Sequence, residues 1–392
     1  MDPRRNPYAP GAGTPPPELA GRDELIERAA VALDRIGDGR PDKSLVLVGL
    51  RGVGKTVLLN RILQDAEHRG LACVRLEAPE DRSLPAILAP ALRGTLIKLD
   101  RTKAAGAAAK KALKALAGFV GALKVKFEDI EVSVGVPSEL GLADSGDLDT
   151  DLADLLCAVG EAAADRDTAV VLFLDELQYV KEEQLAALVM ALHRCAQRQL
   201  PITLVGAGLP QLVGRLGRAK SYAERVFEFP NIGPLDVAAA ELALTAPAAR
   251  EGVSFDRAAL EEILRRTERY AYFLQEWGKH AWAVAARSPI TAHDVREATR
   301  RALADLDASF FRVRFDRLTP GEKRYLRAMA ELGPGPHRSG DIAEKFGRSV
   351  TSLGPTRSGL ILKGMVYSPH HGDTAFTVPL FDGFMKRTMP EY

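Results

Sequence analysis

The residues best suited to chemistry lie in two short runs. The first is Gly49-Leu50-Arg51-Gly52-Val53-Gly54-Lys55-Thr56, the Gly-x4-Gly-Lys-Thr spacing of a phosphate-binding loop. Glycines at 49, 52 and 54 permit positive φ and close backbone approach, so successive N–H groups turn inward and make a concave anion site. The helix that follows adds unpaired N–H groups and the positive end of its dipole. Gly49, Gly52, Val53, Gly54, Lys55, Thr56 and Val57 therefore form the candidate cradle for ATP phosphates, with Lys55 bridging the β- and γ-phosphates and Thr56 a ligand of Mg2+. The second run is Asp175-Glu176, which follows the six apolar residues Ala169 to Leu174. Asp175 is placed to hold Mg2+ through water, and Glu176 to polarise the water that attacks the γ-phosphate. Lys55 and Glu176 are the expected catalytic pair.

Stepping outward, four apolar residues, Leu45 to Val48, lead into the glycine loop, and Val57, Leu58, Leu59, Ile62 and Leu63 recur at helical spacing after it. That is the strand–loop–helix setting the motif requires. A glycine turn with an incidental lysine, or a strand ending in a solvated acidic turn, would not supply both contexts in one chain. Further strands are expected at 72–77, at 201–208 and at the end of 221–229. Strands alternating with helices predict an α/β fold with a doubly wound parallel sheet. Beyond Pro234 only helical patterns follow, over 237–244, 256–267, 270–286 and 292–306, which predicts an all-helical lid. Before the sheet, Asn6 to Leu19 is too rich in Pro and Gly for regular structure and reads as an extended arm; Asp23 then caps a helix stopped by Gly37-Asp38-Gly39. The expected division is an arm over 1–19, an ATPase core over 20–233 with an insert at about 93–150, a lid over 234–308, and a C-terminal domain over 309–392.

The chain's 392 residues leave room for several domains and ample core, and 46% apolar with 27% charged content is that of an ordinary globular protein. A net charge of +1 singles out no partner. Three cysteines, Cys73, Cys157 and Cys195, show no metal-ligand spacing and suit a reduced, cytoplasmic setting. The N-terminus has no apolar signal core, and no run of about 18 apolar residues would cross a bilayer.

Two segments bear on partners. Between the two chemical runs, Arg93 to Lys126 holds nine Lys/Arg and one acid, whereas 127–165 holds acids and no Lys or Arg. Leu113, Leu116, Phe119, Val120 and Leu123 form one face of a helix with Lys110, Lys111 and Lys114 off it. Such a helix would grip DNA phosphates, cover the chain's own acidic run, lie on a membrane surface, or simply be solvated. A hairpin is expected from 125–127 to 130–134. The C-terminal domain reads as a helix opened by Thr319 and Pro320, a helix at 339–347, a longer helix at about 351–363, and a hairpin around His370-His371-Gly372-Asp373. That order is a winged helix, whose second paired helix enters the major groove in DNA-binding versions. Arg348, Thr351, Arg357 and Lys363 are the leading candidate contacts with duplex DNA, helped by Ser349, Ser352, Thr356, His370 and His371. The domain carries 13 Lys/Arg against 8 Asp/Glu. Gly354-Pro355 is expected to distort the reading helix, and a protein-docking wing is the alternative. Trp277 and Trp282, with Tyr270, Tyr272 and Phe273, read as core packing.

A Pro-rich arm ending in Leu19-Ala20-Gly21-Arg22, a phosphate loop, Asp-Glu after a buried strand and a helical lid together resemble the AAA+ ATPases. Within them the chain is most similar to the branch holding the archaeal and eukaryotic origin-recognition ATPases and the STAND-like signalling ATPases, and it looks like a family of ATP-binding proteins common in actinobacteria. The resemblance implies that Gly21 and Arg22 contact adenine. It also implies that Arg225 is an arginine finger reaching a neighbour's γ-phosphate, which requires a homo-oligomer, and that Arg269 lies where relatives place a nucleotide-sensing turn or arginine. The chain departs from the pattern at Arg269 and Ala271, and at Ala207, where a polar sensor is usual; hydrolysis is therefore expected to be slow. The function implied is a nucleotide-dependent, DNA-binding ATPase. A STAND-like switch, its winged helix an inhibitory or docking module, is the alternative.

Overall fold

The structure, a computed structural model, describes residues 1–11, 13–101, 107–124, 130 and 132–390. They form two compact units: one made of Asp23–Val48 and Leu58–Asn231, the other of Met1–Arg22, Gly49–Val57 and Ile232–Tyr392.

The first unit is built on a parallel sheet. In chain order it holds α1 (Asp23–Gly37), β1 (Ser44–Val48), most of α2 (Lys55–His68), β2 (Ala72–Glu77), α3 (Leu84–Arg101), α4 (Ala107–Leu123), α5 (Leu148–Ala164), β3 (Val170–Asp175), α6 (Glu182–Gln197), β4 (Ile202–Gly208), α7 (Gln211–Ala219), α8 (Ala223–Val226) and β5 (Phe227–Glu228). The strand order is β2-β3-β4-β1-β5, every pairing parallel. All residues of β1, β3 and β4 are buried, as continuous apolar runs in the middle of such a sheet require. The register sets Leu47 beside Ala207, and Leu174 beside Gly206. Helices α5 and α6 also bring Cys157 and Cys195, distant in sequence, to an Sγ–Sγ separation of 3.8 Å.

Helix α4 is the basic helix expected in the insert. Its apolar face, Leu113, Leu116, Phe119 and Leu123, is buried, while Lys111 meets Glu161 at 2.9 Å and Lys114 meets Glu139 at 3.2 Å. Of the readings open from sequence, a helix laid over the chain's own acidic stretch is the one these contacts match. Exposed ion pairs contribute at most about 1 kcal/mol each, so the buried face holds the helix down. Of the expected hairpin, residues 125–129 and 131 lie outside the described residues, and Ile130 and 132–134 are not in strand.

The second unit contains α9 (Val237–Arg250), α10 (Arg257–Thr267), α11 (Ala271–Val284), α12 (Ala292–Ala308), α13 (Arg312–Asp316), α14 (Pro320–Glu331), β6 (His337–Arg338), α15 (Ser339–Phe346), α16 (Val350–Leu362), β7 (Val366–Tyr367), β8 (Asp373–Phe376) and α17 (Phe381–Thr388). The arm is tied down by α9 and α11. Tyr8 is buried with its hydroxyl donating to the Leu244 carbonyl, Trp282 Nε1 donates to the Asp2 carbonyl at 2.9 Å, and Asn6 donates to the Lys279 carbonyl at 3.0 Å. The Tyr8 ring fits because residue 278 is glycine: a Cβ there would lie 2.6 Å from it. Aromatic rings join α11 to the C-terminal elements, Phe273 to Phe310 and Phe311, and Phe311 to Phe381 and Phe384.

Thr319 and Glu322 cap α14 reciprocally, with Pro320 in its first turn. Strands β6-β8-β7 make a small antiparallel sheet. Three elements beyond residue 309 lie outside the sequence expectation: α13, the two-residue β6 and α17. One expectation is corrected, because α16 runs unbroken through Pro355. The carbonyl that Pro355 leaves without an N–H partner is that of Thr351, in the exposed first turn, where it is open to solvent.

Candidate nucleotide-binding site

Residues 49–57 connect the end of β1 to the start of α2. Gly52 and Gly54 have φ of 81° and 94°, the left-handed conformation that glycine alone adopts without strain. Gly49 is required for another reason: a Cβ there would lie 2.2 Å from the Ile232 carbonyl oxygen. Helix α2 opens at Lys55, so its first amides have no intrahelical acceptor and face forward with the positive end of the dipole. The Lys55 ammonium lies over the loop, donating to the carbonyls of Gly49 and Leu50 at 2.9 Å each.

Several backbone groups of the loop bond within its own unit. The Arg51 amide donates to the Thr377 carbonyl at 3.0 Å, beside β8 in the C-terminal elements. The Tyr272 amide, in the first turn of α11, donates to the Gly52 carbonyl at 3.0 Å. Arg22 donates to the Gly233 carbonyl at 2.6 Å and to the Val53 carbonyl at 3.4 Å. Burial lowers the pKa of the Arg22 guanidinium, opposed by the charge of Asp236. Neighbouring Gly21 has φ of 68° and a Cβ would lie 2.6 Å from that of Ala239, so its glycine identity is demanded by close approach to α9. A glycine loop, a helix start and a lysine fit polyphosphate, and Thr56 carries a hydroxyl, an oxygen donor of the kind Mg2+ takes.

At the end of β3, Asp175 is buried and its Oδ1 accepts the Glu176 amide at 2.8 Å. Glu176 is left-handed, φ 55° and ψ 36°, a conformation costing a non-glycine residue roughly 1–3 kcal/mol that surrounding structure must offset. The surroundings do so through the turn Leu177–Tyr179. Gln178, which sequence reasoning passed over, is buried; its Nε2 donates to the Glu176 carboxylate and its Oε1 accepts the Leu209 amide at 3.1 Å. Arg215 of α7 donates to the Gln178 and Val180 carbonyls. The signal was the run Gly206-Ala207-Gly208, because strand-end glycines mark close approach by a neighbour. Side chains at 206 and 208 would lie 2.5 Å from Leu177 and 3.2 Å from Gln178. Ala207 itself is fully buried.

The remaining expected residues are dispersed. Arg225 is exposed on α8, just before edge strand β5. Arg269 is half-buried and left-handed, φ 61°; its carbonyl accepts the Leu235 amide at 3.0 Å and its own amide donates to Thr267 Oγ1 at 3.3 Å. Arg348 and Thr351 are exposed at the start of α16. Arg357 and Lys363, also expected at duplex DNA, make hydrogen bonds inside the fold. Arg357 donates to Thr374 Oγ1 at 2.7 Å, Ser368 Oγ at 2.6 Å and the Asp373 carbonyl at 2.9 Å, while Lys363 donates to Glu322 at 2.7 Å and the Arg317 carbonyl at 3.0 Å. A long basic side chain on a short helix reaches the adjoining hairpin as readily as solvent, so these two fasten the module together.

Residues 18–205 match the family described as AAA ATPase domain, a span that includes the glycine loop and both acids. The likeness is to an AAA ATPase domain over just under half of the chain. Residues 308–385, beyond that domain, match a family described as a domain of unknown function (DUF8462). No curated protein matches the chain. Among solved structures it is similar to the Walker-type ATPase PABY2304 of Pyrococcus abyssi, at 16% identity and a TM-score of 0.55, over 95% of this chain and 97% of that one. That likeness, at such low identity, gives a shared fold. Weaker likenesses include the Aeropyrum pernix ORC1 protein in complex with DNA, at 16% identity, 94% and 93% coverage and a TM-score of 0.48. Another is Cdc6p of Pyrobaculum aerophilum, at 15% identity, 100% and 98% coverage and a TM-score of 0.47. No helix among the described residues is long and apolar enough to cross a membrane.

Proposed function

We propose that the chain is an ATP-binding and ATP-hydrolysing switch whose C-terminal module, read as a winged helix over 309–392, binds duplex DNA according to the nucleotide held. The observation that carries this is the hydrogen bond from the Arg51 amide to the Thr377 carbonyl, which makes the phosphate loop and the C-terminal module neighbours in one compact unit. Whatever reshapes the loop acts on a bond to the module.

In this reading the loop amides and Lys55 take the phosphates by charge-assisted hydrogen bonds. Thr56 and Asp175 would hold Mg2+, which supplies neutralisation of charge on the β- and γ-phosphate oxygens. Glu176 orients a water and accepts its proton as the water oxygen bonds to the γ-phosphorus and the bond to the β-phosphate oxygen breaks. Gly21 and Arg22 line the nucleotide's base side, and exposed Arg225 is available to a second copy. For DNA, the exposed start of α16 offers Arg348 and Thr351 with Ser349 and Ser352, and the module's 13 Lys/Arg against 8 Asp/Glu favour phosphate contact.

A second reading, a STAND-like switch in which the module restrains the loop and reads no DNA, is favoured by the internal use of Arg357 and Lys363. Fluorescence anisotropy of a labelled duplex, with ADP and with a non-hydrolysable ATP analogue across a salt series, separates the two. DNA binding predicts nucleotide-dependent affinity whose salt slope falls by about one when Arg348 becomes Ala. Absence of binding in both nucleotide states, with assembly on adding ATP alone, would move the assignment to the second reading.

A further inference from the structure

We propose that Gln178 is the positioning residue for Glu176, supplying from the turn after β3 the polar hold that β4 does not provide. The proposal rests on the hydrolysis reading above. After Thr203, β4 continues Leu204-Val205-Gly206-Ala207-Gly208, without a polar side-chain atom at the end nearest the acids. Gln178 spans the gap. Its Nε2 donates to the Glu176 carboxylate while its Oε1 accepts the amide of Leu209, the residue directly after β4.

These two partners fix the amide's orientation chemically. A backbone N–H only donates, so it faces the oxygen; an ionised carboxylate only accepts, so it faces the NH2 group. The Gln178 backbone is held as well, its carbonyl accepting from Arg215, and a side chain at 208 would intrude on Oε1 at 3.2 Å. Gln178 therefore has little freedom, and neither has the carboxylate it holds.

The test uses substitutions that separate this role from a purely structural one. Gln178→Glu retains an oxygen acceptor for the Leu209 amide but replaces the donor facing Glu176 with a second carboxylate. Gln178→Asn retains the amide but is one methylene too short to reach both partners. For Gln178→Glu we expect turnover at neutral pH to fall by at least about tenfold, with KM for ATP and nucleotide affinity within about twofold of wild type. Gln178→Asn should lose turnover in the same sense, again with KM and nucleotide affinity nearly unchanged, and it decides the matter if Gln178→Glu fails to fold by circular dichroism. Wild-type turnover in a folded Gln178→Glu, or wild-type turnover in Gln178→Asn, would overturn the role. Wild-type protein that binds ATP without hydrolysing it would instead overturn the hydrolysis reading and this role with it.

Discussion

Replacing Phe311 by Ala tests how firmly the C-terminal elements are joined to the unit that contains the phosphate loop. Phe311 is fully buried, with ring centroids of Phe310, Phe381 and Phe384 at 5.3, 5.7 and 5.2 Å. Truncating a buried Phe costs about 3–5 kcal/mol, and each aromatic pair lost adds about 0.5–1.5. For a unit of about 190 residues, each kcal/mol moves Tm by roughly 2–4 °C, so a fall of at least about 10 °C is expected. The assay is built in, since both tryptophans, Trp277 and Trp282, lie buried on α11 of that unit. Tryptophan fluorescence during heating therefore reports on it selectively. Because residues 49–57 belong to the same unit, Mg-ATP at 100 times its Kd should stabilise this transition by about 2.7 kcal/mol in wild type. A drop below about 2 °C in Phe311→Ala, or a tryptophan transition that Mg-ATP leaves unmoved, would refute the reasoning.

Two further changes probe the same unit. Tyr8→Phe removes the donor to the buried Leu244 carbonyl and should cost about 1–3 kcal/mol in urea unfolding, with Tyr8→Ala costing more through the cavity it leaves; equal stability of wild type and both variants would mean the arm is not fastened as described. The carboxyl of Glu276 is raised above the usual range by burial, with Asp305 adding to the rise and the Tyr272 hydroxyl and Lys279 opposing it. A raised folded pKa stabilises fully below the unfolded value and loses that contribution as pH climbs through the folded one. Gln cannot ionise, so Glu276→Gln should gain on wild type in Tm from the ordinary carboxylate range upward and keep a constant offset below it. A difference that does not change with pH would contradict the assignment.

The central strands and the strand–loop–helix setting of residues 49–57 were legible because their signals are local. Buried parallel strands are continuous apolar runs, and a phosphate loop needs its glycines at fixed spacing. The cap at Thr319 with Pro320 is equally local, and it appears as read. What escaped was set by distant partners. Strand β6 is two residues long and exists only by pairing with β8; α17 begins after a left-handed Leu380 and is held by Phe381 and Phe384 against Phe311. Gln178 is polar and unremarkable in sequence, and its significance comes from meeting Leu209, 31 positions away. Arg357 and Lys363 show the converse: basic residues on a candidate reading helix looked available, and the hairpin and Glu322 already hold them.

The most direct measurement is equilibrium binding of ATP in the presence of Mg2+ by wild type, Lys55→Ala and Glu176→Gln, with phosphate release followed on the same samples. Losing the Lys55 charge-assisted hydrogen bonds, worth about 1.5–3 kcal/mol, should weaken ATP binding by roughly 10- to 150-fold, whereas Glu176→Gln should bind as wild type does and release no phosphate. Unchanged ATP affinity in Lys55→Ala, or wild-type phosphate release from Glu176→Gln, would contradict the account.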